Sequence, residues 1–301
     1  MYTEQGIMKV GSRCGYCLLH RGYKMIQMST EDEEIRRKAM EELLKMLGES
    51  YNSEAVPSVL GAERGRIIAR VTGCKDPYKE MKEEANKRAL ELLPKLKKLI
   101  KDTPEAGRLR ISALISCLGN VLDYDVPGSN SDIDSAMELL HEGFFLDDTD
   151  KLKSKIEENT EILFFTDNAG EIGFDTVLVE ELKKLGAKIT VAVKGGPSLN
   201  DATLDDSSMV GMEKIADEVI TTGTDAIGIR LDESPQWFLD RFNNADLIIA
   251  KGMANWETLS EDPVPCPTMF IFRTKCEPVA LSLNSPENKC IAKLVEKGWK
   301  L

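Results

Sequence analysis

The chain has 301 residues, with 42% hydrophobic and 30% charged side chains, which is typical of one large or two ordinary soluble globular domains. Its formal net charge of −12 disfavours nucleic acid and anionic membranes as partners, because like charges repel at long range. No apolar run approaches the roughly 18 residues of a membrane span and no signal peptide is apparent, so we expect a cytoplasmic protein.

Near the N-terminus the chain carries Cys14-Gly-Tyr-Cys17, with His20 three residues further on. Such a pair fits half of a zinc site, a redox pair or two packed thiols. A closed zinc site needs four ligands, and His20 and Cys74 complete one only if the fold brings them together. We favour packed thiols, and we keep a second metal or a redox function for Cys14 and Cys17 as the alternative.

From Thr30 to about residue 155 the hydrophobic spacing indicates helices. We expect Pro94 to kink or end one of them, because proline lacks the N–H that the helical ladder needs. The segment 111–122, ISALISCLGNVL, is apolar nearly all round and predicts a buried helix. Asn120 near its end either closes this helix or points into an active cleft. A last helix is expected over residues 131–145.

After about residue 156, short apolar runs alternate with helical stretches. The runs that predict strands are 162–165, 188–194, 218–222, 247–252 and 268–275. Strands separated by helices form a parallel sheet with right-handed crossovers. The sequence therefore predicts an α/β fold with a mainly parallel sheet after an all-helical N-terminal part.

Polar side chains follow the ends of four predicted strands. They are Asp167 and Asn168, then Lys194, Asn200 and Asp201, then Lys251, Gly252 and Asn255, and finally Arg273 and Lys275. Ligands of open α/β sheets bind at the carboxyl ends of the strands. Carboxylate and amide oxygens suit a hard divalent cation, whereas lysine, arginine and the start of a helix suit an anion. A metal together with an anion predicts phosphate chemistry.

Six segments also resemble, in chain order, the motifs of the damage-control phosphatases, metal-dependent enzymes first catalogued as a domain of unknown function. They are TGCKDPYKEMKEEAN, LGNVLD, FFTDNAGEIGFD, VKGGPSLNDAT, AKGMANWE and FRTKCEPVA, and together they cover nearly the whole chain. The CxxC resembles that of the stand-alone prokaryotic and archaeal subgroup. Eukaryotic members usually carry an acidic residue and a tyrosine where this chain has Met253 and Trp256, a departure that concerns the substrate more than the reaction.

The resemblance implies a helical domain at 1–155 packed on a Rossmann-like α/β domain at 156–301, with helices on both faces of the sheet. It also implies one divalent ion, whether manganese, magnesium, cobalt or nickel, and hydrolysis of phosphate monoesters of small metabolites such as sugar phosphates or damaged or surplus phosphometabolites. Its metal ligands fall on Asp167, Asn168 and Asp201, its substrate loop on Lys251, Gly252 and Asn255, and its phosphate-binding lysine on Lys275.

On this basis Asp167 and Lys275 are the candidate catalytic residues, with Arg273 and Asn120 as further candidates for substrate contact. An Asp-x-Asp nucleophile is absent because Ala169 occupies the second position after Asp167, so we favour water as the nucleophile and leave an aspartyl-phosphate open. The oligomeric state is also left open.

Two rival interpretations belong to other classes. A nucleotide-binding dehydrogenase typically carries the motif G-x-G-x-x-G after the first strand, but the segment in this chain is DNAGEIG. A non-catalytic metal or redox module would centre on Cys14 and Cys17. The phosphatase interpretation is favoured because four loops supply complementary chemistry.

Overall fold

The computed structural model describes residues 9–117 and 133–301. Asn120, a candidate for substrate contact, therefore lies outside the described residues. The helices before the sheet are α1 (Ser12–Ser29), α2 (Glu33–Ser50), α3 (Pro57–Thr72), α4 (Lys79–Asp102), α5 (Glu105–Ser116) and α6 (Ile133–Glu142). The later helices are α7 (Thr149–Ser154), α8 (Glu171–Lys184), α9 (Leu204–Val210), α10 (Gln236–Asn244), α11 (Met253–Leu259) and α12 (Glu277–Ser282).

Seven strands in the described residues form one sheet in the order β1-β7-β6-β5-β2-β3-β4. They are β1 (Phe144–Asp147), β2 (Glu161–Phe165), β3 (Lys188–Val193), β4 (Glu218–Thr221), β5 (Leu247–Lys251), β6 (Thr268–Arg273) and β7 (Cys290–Val295). All neighbouring pairs are parallel except β6 and β7. The predicted α/β class with a mainly parallel sheet is confirmed.

The central strand β2 shows why this sheet is covered on both faces. Its residues alternate between two cores: Ile162 and Phe164 pack with α4, α5 and α8, whereas Leu163 and Phe165 pack with α10, α11 and α12. Since successive side chains of a strand point to opposite faces, an unbroken apolar run is what a doubly covered strand requires.

The described elements from residue 12 to residue 142 are all helices, as predicted, but they pack in two places. Helices α1 to α3 form a small core of their own, whereas α4 and α5 join the core on one face of the sheet. The strand β1, which also precedes residue 155, pairs with β7 at the sheet edge. The division of the chain into domains at 1–155 and 156–301 stays a prediction.

One local expectation was wrong, and one of the two alternatives expected at Pro94 is excluded. The helix expected over 131–145 ends at Glu142, because Gly143 adopts a left-handed φ of 74°, and the next residues form β1. The expected end of a helix at Pro94 does not occur, since α4 continues to Asp102. Residues on both sides of Pro94, including Leu93 and Leu96, are buried against the sheet. Burial of each such leucine, at about 1.5–3 kcal/mol, offsets the cost of proline in a helix.

Within the part of the chain that the structure describes, every helix is too short or too polar to cross a bilayer.

Candidate active site

The loops that carry the predicted ligands meet at the carboxyl edge of the sheet. The turn after β2 and the loop after β3 are joined by an isolated antiparallel bridge between Asn168 and Asp201. Two further backbone bonds secure this contact: Ala169 N–H donates to the Asn200 carbonyl and Ala202 N–H donates to the Asp167 carbonyl, each at 2.8 Å. The structure thus brings together the residues predicted from two separate strand ends.

The side chains of Asp167, Asn168 and Asp201 are all less than one tenth exposed. Burial raises the pKa of Asp167 well above its usual value, and the charges of Glu171 and Asp201 raise it further. Burial also raises the pKa of Asp201. The Lys194 ammonium, whose Nζ lies 3.6 Å from Asp201 Oδ2, lowers this pKa and so offsets part of the rise. Buried carboxylates that repel each other are costly unless a cation neutralises them.

This donor set fits a divalent ion. Asn168 Nδ2 donates to Asp167 Oδ2 at 2.9 Å, which leaves the amide oxygen of Asn168 as a third candidate oxygen ligand. Within residues 9–117 and 133–301, no three His, Cys, Asp or Glu side chains stand together as a metal site. The two carboxylates and one amide therefore remain the candidate for the single ion.

Gly252 leaves room for the Asp167 side chain. Its φ is 84°, and a Cβ at this position would lie 2.1 Å from Asp167 Cγ and 2.2 Å from Asp167 Oδ2. No side chain fits there while Asp167 keeps its place. Gly252, a predicted site residue, thus matters because it has no side chain. The backbone after β5 lies against the carboxylate of Asp167, the first candidate ligand.

The structure does not place Lys251 where it was predicted to act. Its side chain is fully buried, and its Nζ donates to Glu171 Oε1 at 2.6 Å, Asp175 Oδ1 at 2.8 Å and the Ser116 carbonyl at 3.0 Å. The ammonium is therefore committed to α8 and α5 beneath the site. It is the counter-charge that the two buried carboxylates of α8 share, and it is not available to a substrate in this arrangement.

The start of α8 also differs from the expectation of free N–H groups for an anion. Gly170 N–H donates to Asn86 Oδ1 at 2.6 Å, Ile172 N–H to the Asn168 carbonyl at 3.1 Å and Gly173 N–H to the Gly170 carbonyl at 3.0 Å. These donors are satisfied within the protein. These three N–H groups are therefore not available to a phosphate group.

Lys275 is a predicted cation whose charge acts on the carboxylate cluster. Its charge counters the rise that burial causes in the pKa of Asp167. Its backbone N–H donates to Met253 Sδ at 3.1 Å, which fixes the chain after β6. In contrast, Arg273 Nε donates to the Asn288 carbonyl at 3.2 Å, so this guanidinium is directed to the loop before β7.

The Asn255 side chain hydrogen-bonds to the ends of two strands, β5 and β2. Its Nδ2 donates to the Lys251 carbonyl at 2.7 Å and to the Thr166 carbonyl at 3.3 Å, and the side chain is 2% exposed. These bonds hold the start of α11 against the end of β2. The predicted contact of Asn255 with a substrate stays a prediction.

The CxxC motif lies in the first turns of α1. Cys14 and Cys17 are free thiols, and in the described ranges the structure supplies no further side chains that complete a zinc site with them. The ring of His20 stacks on Tyr16 at 5.6 Å. Burial raises the pKa of Cys14, which makes this thiol a poorer nucleophile. Cys14 is half-buried, as packing requires, whereas Cys17 is exposed, so the interpretation as two packed thiols stays a prediction.

Sequence reasoning missed Arg21. Its guanidinium lowers the pKa of Asp201 and that of Glu257, which burial raises to about 7. The helix α1 thus faces the carboxyl edge of the sheet. The spacing of Cys14, Cys17 and Arg21 by three and four residues places them on one helix face and was the available signal.

Comparisons with known proteins agree with this geometry. Residues 10–291 match the family model described as the damage-control phosphatase ARMT1-like domain. A damage-control phosphatase of Archaeoglobus fulgidus is 36% identical over 96% of this chain and 100% of its own. One of Pyrococcus horikoshii is 33% identical over 94% of this chain and 97% of its own. The crystal structure of a DUF89 family protein from Pyrococcus horikoshii superposes with a TM-score of 0.85 at 32% identity, covering 97% of this chain and 99% of that one.

The first prediction concerns Gly252. Gly252→Ala should weaken Mn²⁺ binding and destabilise the fold, because the new Cβ displaces the Asp167 carboxylate. Gly298→Ala is the matched control: its φ is 83°, yet nothing lies within 4 Å of a Cβ there. The control should cost only the left-handed backbone, about 1–2 kcal/mol. Urea unfolding and Mn²⁺ calorimetry measure both effects, and equal behaviour of the two variants would contradict the steric argument.

The second prediction concerns Lys251. Lys251→Met should lower the free energy of unfolding by about 3–5 kcal/mol at pH 8, because Glu171 and Asp175 lose their buried counter-charge. The loss should be smaller at pH 5.5. Burial raises the pKa of Asp175 to about 7, so its contribution to stability is full below its unfolded-state pKa and is lost as the pH rises through 7. At pH 5.5 the folded protein therefore holds Asp175 mostly protonated, and this carboxyl depends less on the charge of Lys251.

Urea unfolding at both pH values tests this expectation, with Lys188→Met at the exposed start of β3 as the control. A loss that does not grow between pH 5.5 and pH 8 would show that the carboxylates of α8 do not depend on Lys251.

Proposed function

The chain belongs to the ARMT1-like damage-control phosphatase family, and we propose that its phosphatase reaction is the divalent-metal-dependent hydrolysis of phosphate monoesters of small metabolites. The observation that carries this proposal is the bridge between Asn168 and Asp201, which joins two buried carboxylates and an amide at the carboxyl edge of the sheet. Sugar phosphates and damaged or surplus phosphometabolites are the proposed substrates.

Asp167, Asn168 and Asp201 would hold the ion, and oxygen donors of this kind accept manganese, magnesium, cobalt and nickel. When bound, a divalent ion supplies positive charge that polarises a phosphoryl oxygen and lowers the pKa of water. The chain keeps these three residues in place with Lys194 beside Asp201 and with the open space at Gly252 beside Asp167.

Lys275 is the side chain proposed to bind the phosphoryl group. Its charge already acts on Asp167, so its ammonium lies within electrostatic range of the group that the ion and the phosphate would share. A fixed cation there neutralises the negative charge of the phosphoryl oxygens as the ester bond breaks. Of the three cations predicted to contact the substrate, Lys251 is buried and Arg273 is directed to Asn288. Lys275 is therefore the one proposed to bind the phosphoryl group.

Water is the proposed nucleophile. The Asp167 carboxylate accepts a hydrogen bond at Oδ2 from Asn168 and lies against Gly252, and this confined position supports a role as a ligand more than as a nucleophile. The structure also weighs against the dehydrogenase alternative, since the N–H groups of Gly170, Ile172 and Gly173 are already bonded within the protein.

The third prediction tests metal dependence. Phosphate release from a panel of phosphorylated metabolites should vanish after chelation and return with Mn²⁺, Mg²⁺, Co²⁺ or Ni²⁺. Asp167→Ala and Asp201→Ala should each lower turnover at least about 100-fold. Asp205→Ala, an exposed carboxylate on α9, is the control and should stay near wild type. Full turnover in metal-free protein would rule out the proposal.

The fourth prediction separates charge from packing at Lys275. Lys275→Met keeps the aliphatic stem and removes the charge, so kcat should fall by about 10²–10³ while the unfolding temperature stays nearly unchanged. Lys297→Met, at an exposed position after β7, is the control. A Lys275→Met enzyme with near-normal kcat would remove this residue from the reaction.

A further inference from the structure

The buried side chain of Asn86 on α4 connects the two loops that carry the candidate metal ligands. Its Oδ1 accepts the Gly170 N–H at 2.6 Å, and its Nδ2 donates to Asp206 Oδ1 at 2.7 Å. Asn86 is fully buried. One planar amide thus connects the turn after β2 to the first turn of α9, the helix that follows the loop after β3.

Each end of this connection is close to a ligand. Gly170 closes the turn that begins with Asp167 and Asn168. Asp206 belongs to the segment that follows Asp201, where its Oδ2 accepts from both the backbone N–H and the Oγ1 of Thr203 at 2.8 Å. The Asn86 amide therefore links the backbone of the first segment, at Gly170, to a side chain of the second, that of Asp206. This link adds to the main-chain bridge between Asn168 and Asp201.

The surroundings hold Asn86 in this position. A Cβ on Gly170, whose φ is 77°, would lie 3.0 Å from Ala85 Cβ, and one on Gly173 would lie 2.9 Å from Ala89 Cβ. The helix α4 therefore packs directly on the turn and on α8. Lys82, one turn before Asn86, has its Nζ 3.8 Å from Asp206 Oδ2, which favours the charged carboxylate as acceptor.

Only an asparagine-like group satisfies both partners at once. The Gly170 N–H requires an acceptor and the Asp206 carboxylate requires a donor, so the amide has one orientation that pairs both of its ends. Nδ2 facing the N–H, or Oδ1 facing the carboxylate, would leave buried groups unpaired, which is costly. The connection is therefore directional and specific.

We propose that Asn86 is a positioning residue that holds the Asp167–Asn168 turn and the Asp201 loop at the separation which a divalent ion requires. The helical part of the chain thereby sets the ion affinity of a site built on the sheet. This inference rests on the proposed metal dependence. Replacing a residue that hydrogen-bonds to metal ligands and orients them typically lowers metal affinity 10–100-fold.

The test measures Mn²⁺ binding to the full chain by calorimetry, together with thermal unfolding. Asn86→Asp keeps an acceptor for Gly170 N–H but sets a carboxylate against Asp206, so Mn²⁺ affinity should fall about 10–100-fold. Asn86→Asp combined with Asp206→Asn reverses the donor and the acceptor and restores every bond. This double variant should return to within about threefold of wild type. Lys87→Ala, on the exposed side of α4, is the control.

The outcomes separate the inference from the function on which it rests. A folded Asn86→Asp protein with wild-type Mn²⁺ affinity, or a double variant that stays weak, overturns the role of Asn86. If Asn86→Asp does not fold, the double variant alone decides, with recovered affinity supporting the role. If wild-type protein binds no Mn²⁺, or if Asp201→Ala binds it unchanged, the proposed metal site itself fails.

Discussion

The ion cluster beneath the site is the interaction on which the rest of the structure depends. The ammonium of Lys251 lies between two carboxylates of α8, and all three groups are fully buried. Removing one partner of such a cluster leaves an uncompensated buried charge, so the end of β5 and the start of α8 are locked to each other. Glu171 is the first residue of α8, and the turn that carries Asp167 ends immediately before it. Gly252 follows Lys251 and leaves the space that Asp167 occupies. The position of Asp167, the first proposed ligand, is thus set by the packing beneath it.

A second constraint is the concentration of negative charge at the carboxyl edge of the sheet. Asp167 and Asp201 are both buried, and burial raises the pKa of each. The protein supplies nearby cations, Lys194 and Lys275, that offset part of this cost. The remaining negative charge is what a divalent ion would neutralise, and the phosphoryl group would then meet a positive local field in a chain whose net charge is −12. The overall acidity of the protein and its proposed anionic substrate are therefore compatible.

The helical part of the chain also takes part in the site. On one side, α4 places Asn86 between the two ligand loops. On the other side, the charge of Arg21 on α1 lowers the pKa values of Asp201 and Glu257. Because α4 and α5 share a core with the sheet, a change in their packing would be transmitted to the ligands. We therefore regard the active site as a product of both parts, although its proposed ligands come from the sheet loops alone.

The sequence by itself determined the strands β2 to β6, the mainly helical part that precedes them, the family and the set of ligand candidates. These depend on local patterns: an apolar run such as 162–165 reports burial on both faces, and polar residues after it report a strand end. Only the tertiary structure decided that Lys251 is buried, that Arg273 is directed to Asn288, that β1 and β7 complete the sheet, and that Asn86 bonds both loops. The physical reason is that periodicity reveals whether a position is buried, whereas the partner of a buried charge or amide is set by segments far away along the chain.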